Sequence, residues 1–266
     1  MRLISRTLVT FWVVIFALAP SCKKDESTGA DDALAEEAAD AVDVAQTEAA
    51  LLIASVEEAT AGMTPEELAQ AAAAAVEDWS PEECVTATTD RDTVTYVFAG
   101  CAGPYGLVQV DGTLIVTFTV RPNAVHLEAS STDLTVNGAS LTIAADADWS
   151  VDGTANTLEV STTGSATGPR GTSISRQGDY TVGWDESSAC MSLDGDWSTT
   201  TGGRSWSTTV SGYSRCDDGC PAAGGSISYT GGLSGVTISV QYDGSSQAAW
   251  SSSRGQNGTA PLFCEL

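Results

Sequence analysis

Four polar side chains alternate along the stretch ADADWSVDG, residues 145–153: Asp146, Asp148, Ser150 and Asp152. Carboxylate oxygens are the ligands that calcium prefers, so Asp146, Asp148 and Asp152 are candidates for a calcium site. An EF-hand loop, however, has glycine where this chain has Val151, and glutamate where it has Thr157. In a strand the same alternation places all four side chains on one solvated face, which is the interpretation we favour.

Nucleophilic catalysis needs a base beside the nucleophile, and the chain offers one histidine for that role. This residue, His126, lies between Val125 and Leu127 in the stretch AVHLEAS, which predicts the solvated face of a strand. Lysine is absent after Lys24, so no lysine of the β region can replace His126 as the base. We therefore expect a protein that is not an enzyme and that uses no cofactor.

Paired carboxylates could instead support a glycoside hydrolase, which needs two acids about 5–10 Å apart. The candidates are Asp185, Glu186, Asp194 and Asp196, all in turn-like contexts such as WDES and LDGDW. A carboxylate-dependent hydrolase therefore stays as an alternative function.

Tryptophan is the remaining residue type that could mark a binding surface. Five candidates lie in the second part of the chain: Trp149, Trp184, Trp197, Trp206 and Trp250. Exposed on a sheet, they could form a platform for a carbohydrate or a protein. We favour the other interpretation, in which they are the large core residues of a domain otherwise built from small side chains.

Six cysteines follow Cys22, and an even number in an exported chain implies disulfides. Six cysteines allow fifteen connectivities. Folding residues 189–217 as a hairpin sets Cys190 opposite Arg215 or Cys216, depending on one residue of bulge. The preferred pairs are Cys84–Cys101, Cys190–Cys216 and Cys220–Cys264. Zinc is a weaker use, because Cys216 and Cys220 lack a second close pair.

The region 84–266 contains short runs in which apolar and polar residues alternate, such as TVTYVF, LIVTFTV and VTISVQY. Period two predicts strands with one buried face, and no helix-length pattern interrupts the series. Turn dipeptides separate the runs, among them Asn137-Gly138, Asp152-Gly153, Gly202-Gly203 and Asp243-Gly244. We expect a mainly β domain, an antiparallel meander of about a dozen strands in a sandwich, a roll or a curled sheet.

The region 33–83 is rich in alanine and glutamate and predicts an acidic helical segment. A first helix is expected over about 33–60. A second begins after Thr64, where Pro65 and Glu67 complete a capping-box pattern, and continues to about Trp79. We interpret the pair as a spacer or hairpin, with residues 22–32 as a flexible tether before it.

Residues 1–21 have the features of an export signal. Arg2 and Arg6 precede the apolar run LVTFWVVIFALA, which is shorter than the roughly 20 residues that a spanning helix needs. The following LAPSC resembles the bacterial lipoprotein signal, with Ala19 where leucine is usual. The resemblance implies cleavage before Cys22 and acylation of its sulfur. An ordinary cleaved signal with an incidental cysteine is the alternative.

Two further observations concern location. By resemblance to enterobacterial lipoproteins, Lys23 after the modified cysteine implies the outer membrane, with a periplasmic or a surface-facing orientation left open. The stretch FAGCAGPYG, residues 98–106, followed by DGTLIV is similar to a pattern of uncharacterised bacterial lipoproteins, a resemblance that implies no activity.

The net charge argues against one class of partner. After Cys22 the chain has 9 basic and 35 acidic side chains, a net charge of −26, which argues against nucleic acid.

Taken together, these patterns predict a lipid-anchored protein of the bacterial cell envelope, a structural or binding module that engages protein or glycan. The alternatives are the carboxylate hydrolase and a curled sheet that cradles lipid.

Overall fold

The structure is a computed structural model. It describes residues 26–60, 62–103, 107, 109–152, 155–167, 171–185, 190–201, 204–216, 219–231, 235–262 and 264. The expected signal (residues 1–21), the lipidation site Cys22 and the Gly202-Gly203 turn lie outside the described residues.

Two α-helices precede the sheet. Helix α1 covers Glu26–Ala54 and α2 covers Pro65–Ala74, followed by a turn of 3₁₀ helix at Ala75–Asp78. The capping box predicted for α2 is present, since Thr64 accepts from the Glu67 amide and the Glu67 carboxylate accepts from the Thr64 amide. Helix α1, in contrast, begins inside the segment 22–32 that the sequence predicted to be a flexible tether.

Thirteen antiparallel strands form one meander in which each strand pairs with the next along the chain. The first seven are β1 Val85–Asp90, β2 Thr93–Cys101, β3 Val110–Arg121, β4 Ala124–Val136, β5 Ala139–Asp152, β6 Ala155–Thr167 and β7 Ser173–Asp185. The others are β8 Cys190–Thr201, β9 Arg204–Cys216, β10 Ser226–Gly231, β11 Val236–Gln241, β12 Gln247–Ser252 and β13 Asn257–Pro261. The predicted fold class is confirmed.

The strands follow the alternation seen in the sequence. In β5 the residues Ile143, Ala145 and Ala147 are buried, whereas their neighbours Thr142, Ala144 and Asp146 are exposed. Asn137 and Gly138 both have positive φ (50° and 81°) in the turn between β4 and β5, as a two-residue hairpin requires. Each strand therefore presents one apolar face and one face rich in Ser, Thr and Asp.

The sheet curls around α1. The second half of this helix is buried on every side, since each residue from 44 to 54 is buried, and Ala38, Ala41 and Val42 before it are fully covered. Its partners come from strands far apart in the sheet, with side-chain hydrogen bonds to β7, β9 and β12 and packing against β5, β11 and β13. Of the three predicted arrangements, the fold is the curled sheet.

Both helices share one core with the strands. Helix α2 packs against β1, β2 and β3, where the Tyr96 hydroxyl donates to the Ala72 carbonyl over 3.0 Å. The boundary expected between residues 83 and 84 therefore does not separate a helical spacer from the β domain. The small alanine side chains of α1 allow it to fit within the curl.

The six cysteines described pair as the hairpins predicted. Cys84 bonds Cys101 across the first hairpin, and Cys190 stands directly opposite Cys216 on β8 and β9. The register of β8 and β9 shifts between Leu193 and Gly195, which supplies the residue of bulge that this pairing needs. Cys220 bonds Cys264 and fastens the last strands.

Candidate functional site

The outer side of β4 to β8 carries a concentration of carboxylates that we call the acidic face. It consists of Glu128, Asp146, Asp148, Glu159, Asp179, Asp194 and Asp196. Each of these residues occupies an outward position, between neighbours such as Leu127, Ala147 and Val160 that are buried. The alternation of the strands thus gathers, on one surface, acids that are up to 68 residues apart in the sequence.

The strand register arranges the acidic face in two cross-strand rows. In the first, His126, Asp148, Glu159, Thr181 and Asp194 stand side by side on β4 to β8. In the second, the order is Glu128, Asp146, Ser161, Asp179 and Asp196. Together with Arg121, most of these side chains line a shallow groove of about 940 Å³.

Three pairs of acids stand directly opposite one another on neighbouring strands. They are Glu128 with Asp146, Asp148 with Glu159, and Asp179 with Asp196. Like charges directly opposite in a sheet are destabilising. Hydroxyl donors relieve part of this repulsion, since Ser161 donates to Asp179 and Thr209 donates to Asp196. The pair Glu128 and Asp146 has a different neighbour, the imidazole of His126.

His126 lies on the solvated side of β4, as predicted, but its side chain is only 11% exposed because acids surround it. Its Nδ1 is 3.0 Å from Oδ1 of Asp148, and Asp148 also accepts from Nη1 of Arg121 over 2.6 and 2.7 Å. The other nitrogen, Nε2, lies 3.9 Å from Oε1 of Glu128 and 3.8 Å from Oδ1 of Asp146. One edge of the ring is therefore fixed, and the other faces two carboxylates.

The calcium set predicted from ADADWSVDG does not converge on one point. Asp146, Asp148, Ser150 and Asp152 do share the outer face of β5. Because a strand advances about 3.3 Å per residue, Asp146 and Asp152 are roughly 20 Å apart along it. A single ion cannot bind both, so the proposed loop-type calcium site is not formed. Asp146 and Asp148 belong instead to the cluster around His126.

Two of the four acids considered for a hydrolase lie on the acidic face. Asp194 and Asp196 lie on the acidic face in exposed positions, and Asp194 accepts from the Gly212 amide over 2.7 Å. Asp185 is the last residue of β7, and Glu186 lies outside the described residues. The arrangement gathers carboxylates on an open surface.

All five candidate tryptophans point into the core. Trp149, Trp184, Trp197, Trp206 and Trp250 are each at most 5% exposed. Trp206 stacks on Tyr229 with ring centroids 4.6 Å apart, and Nε1 of Trp149 donates to Asn156. They do not form an exposed platform, because the outward positions beside them hold residues such as Asp148, Ser198 and Ser207.

Sequence reasoning missed a second group of charges, inside the curl. Glu48 on α1 accepts from Arg176 and Tyr180 on β7, and Asp31 accepts from Ser252 and Arg254. A signal for the first set exists in the run SISRQGDYTV, where Arg176 occupies an inward position in phase with Ile174 and Tyr180. Burial raises the pKa of the Tyr180 hydroxyl, and the negative charge of Glu48 raises it further.

Comparison of the chain with protein-family models, with curated protein sequences and with solved structures gives no significant match. Within the part of the chain that the structure describes, neither helix has the length and apolar character needed to cross a bilayer.

Proposed function

We propose that this protein is a lipid-anchored module of the bacterial cell envelope with a structural or binding role rather than a catalytic one. The export signal, the lipoprotein-like LAPSC and the acylated Cys22 that it implies support the anchor. The three disulfides support an oxidising compartment outside the cytoplasm. The residue after Cys22, Lys23, favours the outer membrane.

The observation that carries the binding role is the occupancy of the curl by α1. A lipid-cradling sheet needs a vacant apolar concave surface, and here that surface packs against the chain's own helix. The surface left for a partner is the outer one, and the acidic face is its most distinctive part. Its charge argues against nucleic acid as the partner and suits an envelope protein or a glycan that presents cationic groups.

The anchor is tested by expressing the full chain and a Cys22→Ala variant in a bacterial host. We expect the wild-type protein in the membrane fraction, with a mass at its N-terminal peptide that shows removal of residues 1–21 and acylation of Cys22. The variant should be released. An unacylated N-terminus, or a leader still attached, contradicts the proposal.

The binding role is tested with envelope fractions and purified cell-wall glycan. We expect the wild-type protein to be retained, and a Glu159→Gln, Asp179→Asn, Asp196→Asn variant to be retained several-fold less at low salt, since exposed charges are screened at high salt. The matched control is a variant with Asp90→Asn and Glu82→Gln, two exposed acids away from the acidic face. Release of new reducing ends by the wild type alone would instead favour the hydrolase.

A further inference from the structure

We propose that His126, Glu128 and Asp146 form a binding site for a first-row divalent transition-metal ion of the Zn²⁺ type. This inference deepens the proposed binding role of the acidic face and rests on it. The imidazole is the feature that distinguishes the site from the rest of that surface, because the other members of the acidic face offer only carboxylate oxygens.

The ligand atoms are close enough to converge on one ion. One atom from each of the three side chains lies within 4.8 Å of the other two. Zinc binds nitrogen and carboxylate oxygen at 2.0–2.2 Å, so its ligand atoms are roughly 3.3 Å apart in a tetrahedral site. The distances of 3.8 and 3.9 Å from Nε2 to the two oxygens therefore need to shorten by only about half an ångström. Glu128 and Asp146 are 69% exposed, which leaves their side chains free to turn.

The hydrogen bond at the other edge of the ring prepares Nε2 for a cation. The carboxylate of Asp148 can only accept, so Nδ1 of His126 donates in this contact. Nε2 then faces the oxygens of Glu128 and Asp146, and a cation between these three atoms would be attracted to both carboxylates. Metal-binding histidines commonly donate their second N–H to a carboxylate in this way, which fixes the ring and raises its basicity.

Arg121 completes this support. It donates to both oxygens of Asp148 and so holds the carboxylate that orients His126. Because both oxygens of Asp148 accept from Arg121, Asp148 orients the imidazole ring and does not act as a fourth metal ligand. Three protein ligands on an open surface leave the remaining coordination positions to water or to a group from a partner.

The ligand types favour a transition metal over calcium. Calcium takes six to eight oxygen ligands, whereas imidazole nitrogen suits zinc, copper and nickel. A bound divalent ion would also remove the repulsion between Glu128 and Asp146, which stand directly opposite each other on β4 and β5. No other described residues group three such ligand types so closely.

The test is a calorimetric titration of Zn²⁺ into the full chain, stripped of metal with a chelator and carrying Cys22→Ala to remove the one cysteine outside the three disulfides. We expect one equivalent of Zn²⁺ per chain and at least tenfold weaker binding by His126→Gln. Asp146→Asn should weaken binding similarly. The control Asp152→Asn removes an exposed carboxylate from the same strand as Asp146 and should bind within twofold of wild type.

Two results overturn the site. In one, Zn²⁺ does not bind at millimolar concentration. In the other, several equivalents of Zn²⁺ bind and the His126→Gln variant binds Zn²⁺ as tightly as the wild type. That result would indicate non-specific electrostatic binding to the surface carboxylates. Equal melting temperatures of the metal-free variants confirm that each is folded. The titration uses neither membrane nor partner, so its failure is separate from a failure of acylation or of envelope retention.

Discussion

Glu48 and Arg176 form an ion pair inside the curled sheet, with Oε2 and Nη2 2.7 Å apart and each side chain at most 3% exposed. The two residues are 128 positions apart in the sequence. Tyr180 donates to the other carboxylate oxygen over 2.8 Å, and the Arg176 guanidinium lies 5.4 Å from the ring of Trp197. This group fixes the position of α1 along the strands that surround it.

Replacement of one partner should destabilise the protein strongly. Glu48→Gln leaves the Arg176 charge buried without its counterion, and we expect the free energy of unfolding to fall by about 3–5 kcal/mol. The double variant Glu48→Met, Arg176→Met should lose less free energy of unfolding than the two single variants Glu48→Met and Arg176→Met lose together, because it leaves no charge unpaired. Chemical denaturation monitored by tryptophan fluorescence measures the free energy of unfolding of the single and double variants. Asp152→Asn, an exposed acid on β5, is the control and should change stability by less than 0.5 kcal/mol.

Two glycines on β7 and β8 should tolerate no side chain. Gly178 stands opposite Trp197 and Gly195 opposite Tyr180, and a Cβ on either would come within about 2.4 Å of the side chain of its aromatic partner. Gly195→Ala should therefore displace Tyr180 from Glu48 and lower the melting temperature by several degrees. Gly183→Ala, whose nearest neighbour is the movable Ser192 hydroxyl, is the matched control. Equal melting temperatures for the two variants would contradict this account of the packing.

Alkaline pH should unfold the protein through its buried tyrosines. Burial raises the pKa of Tyr229 above its usual value of 10.0, and the negative charge of Glu37 raises it further. The folded state therefore keeps its proton at pH values where the unfolded state releases it. The contribution of this group is complete below about pH 10 and falls as the pH rises further. Denaturant midpoints measured from pH 7 to pH 11 should be level at first and then decline.

Phenylalanine variants separate this effect from hydrogen bonding. The Tyr229 hydroxyl has no hydrogen-bond partner among the described residues, so Tyr229→Phe should change stability little at pH 7 and weaken the decline above pH 10. Tyr180→Phe loses a hydrogen bond to a carboxylate and should cost about 1.5–3 kcal/mol at pH 7. If the denaturant midpoint of both variants falls above pH 10 as steeply as that of the wild type, the loss of stability comes from groups other than these two tyrosines.

Each disulfide should stabilise the fold, by an amount that rises slowly, as the logarithm, with the length of the loop that it closes. The sequence separations are 17, 26 and 44 residues, which correspond to about 3–4 kcal/mol each in the loop-entropy treatment. Removal of Cys190 and Cys216 together should lower the free energy of unfolding, measured by chemical denaturation, by that amount while the other two bridges remain. Peptide mapping without reductant should recover the three pairs, and a peptide that joins Cys216 to Cys220 would contradict them.

The sequence predicted best the features that depend on neighbouring residues. Alternation identified the strands and placed His126, Asp146 and Asp148 on a solvated face. The register of one hairpin, with its bulge, placed Cys190 opposite Cys216. Such features follow from the two-residue period of a strand and from the geometry of a single turn.

The features that the sequence did not predict depend on contacts between distant segments. The pairing of Glu48 with Arg176 requires knowledge that the sheet curls and that α1 lies inside it. An alanine-rich helix has the same local pattern whether it is a solvated spacer or a buried core element. The convergence of Glu128 and Asp146 on His126 likewise follows from the register of two strands, which spacing along the chain does not give.

The start of α1 at Glu26 has a mechanical consequence. Only four residue steps separate Cys22 from Glu26, a reach of at most about 14 Å even when fully extended. If Cys22 is acylated as proposed, tension between bilayer and domain would be transmitted first to α1 and not to an outer strand. Because strands between β5 and β13 contact that helix, it could not be drawn out without breaking their packing and its buried ion pair.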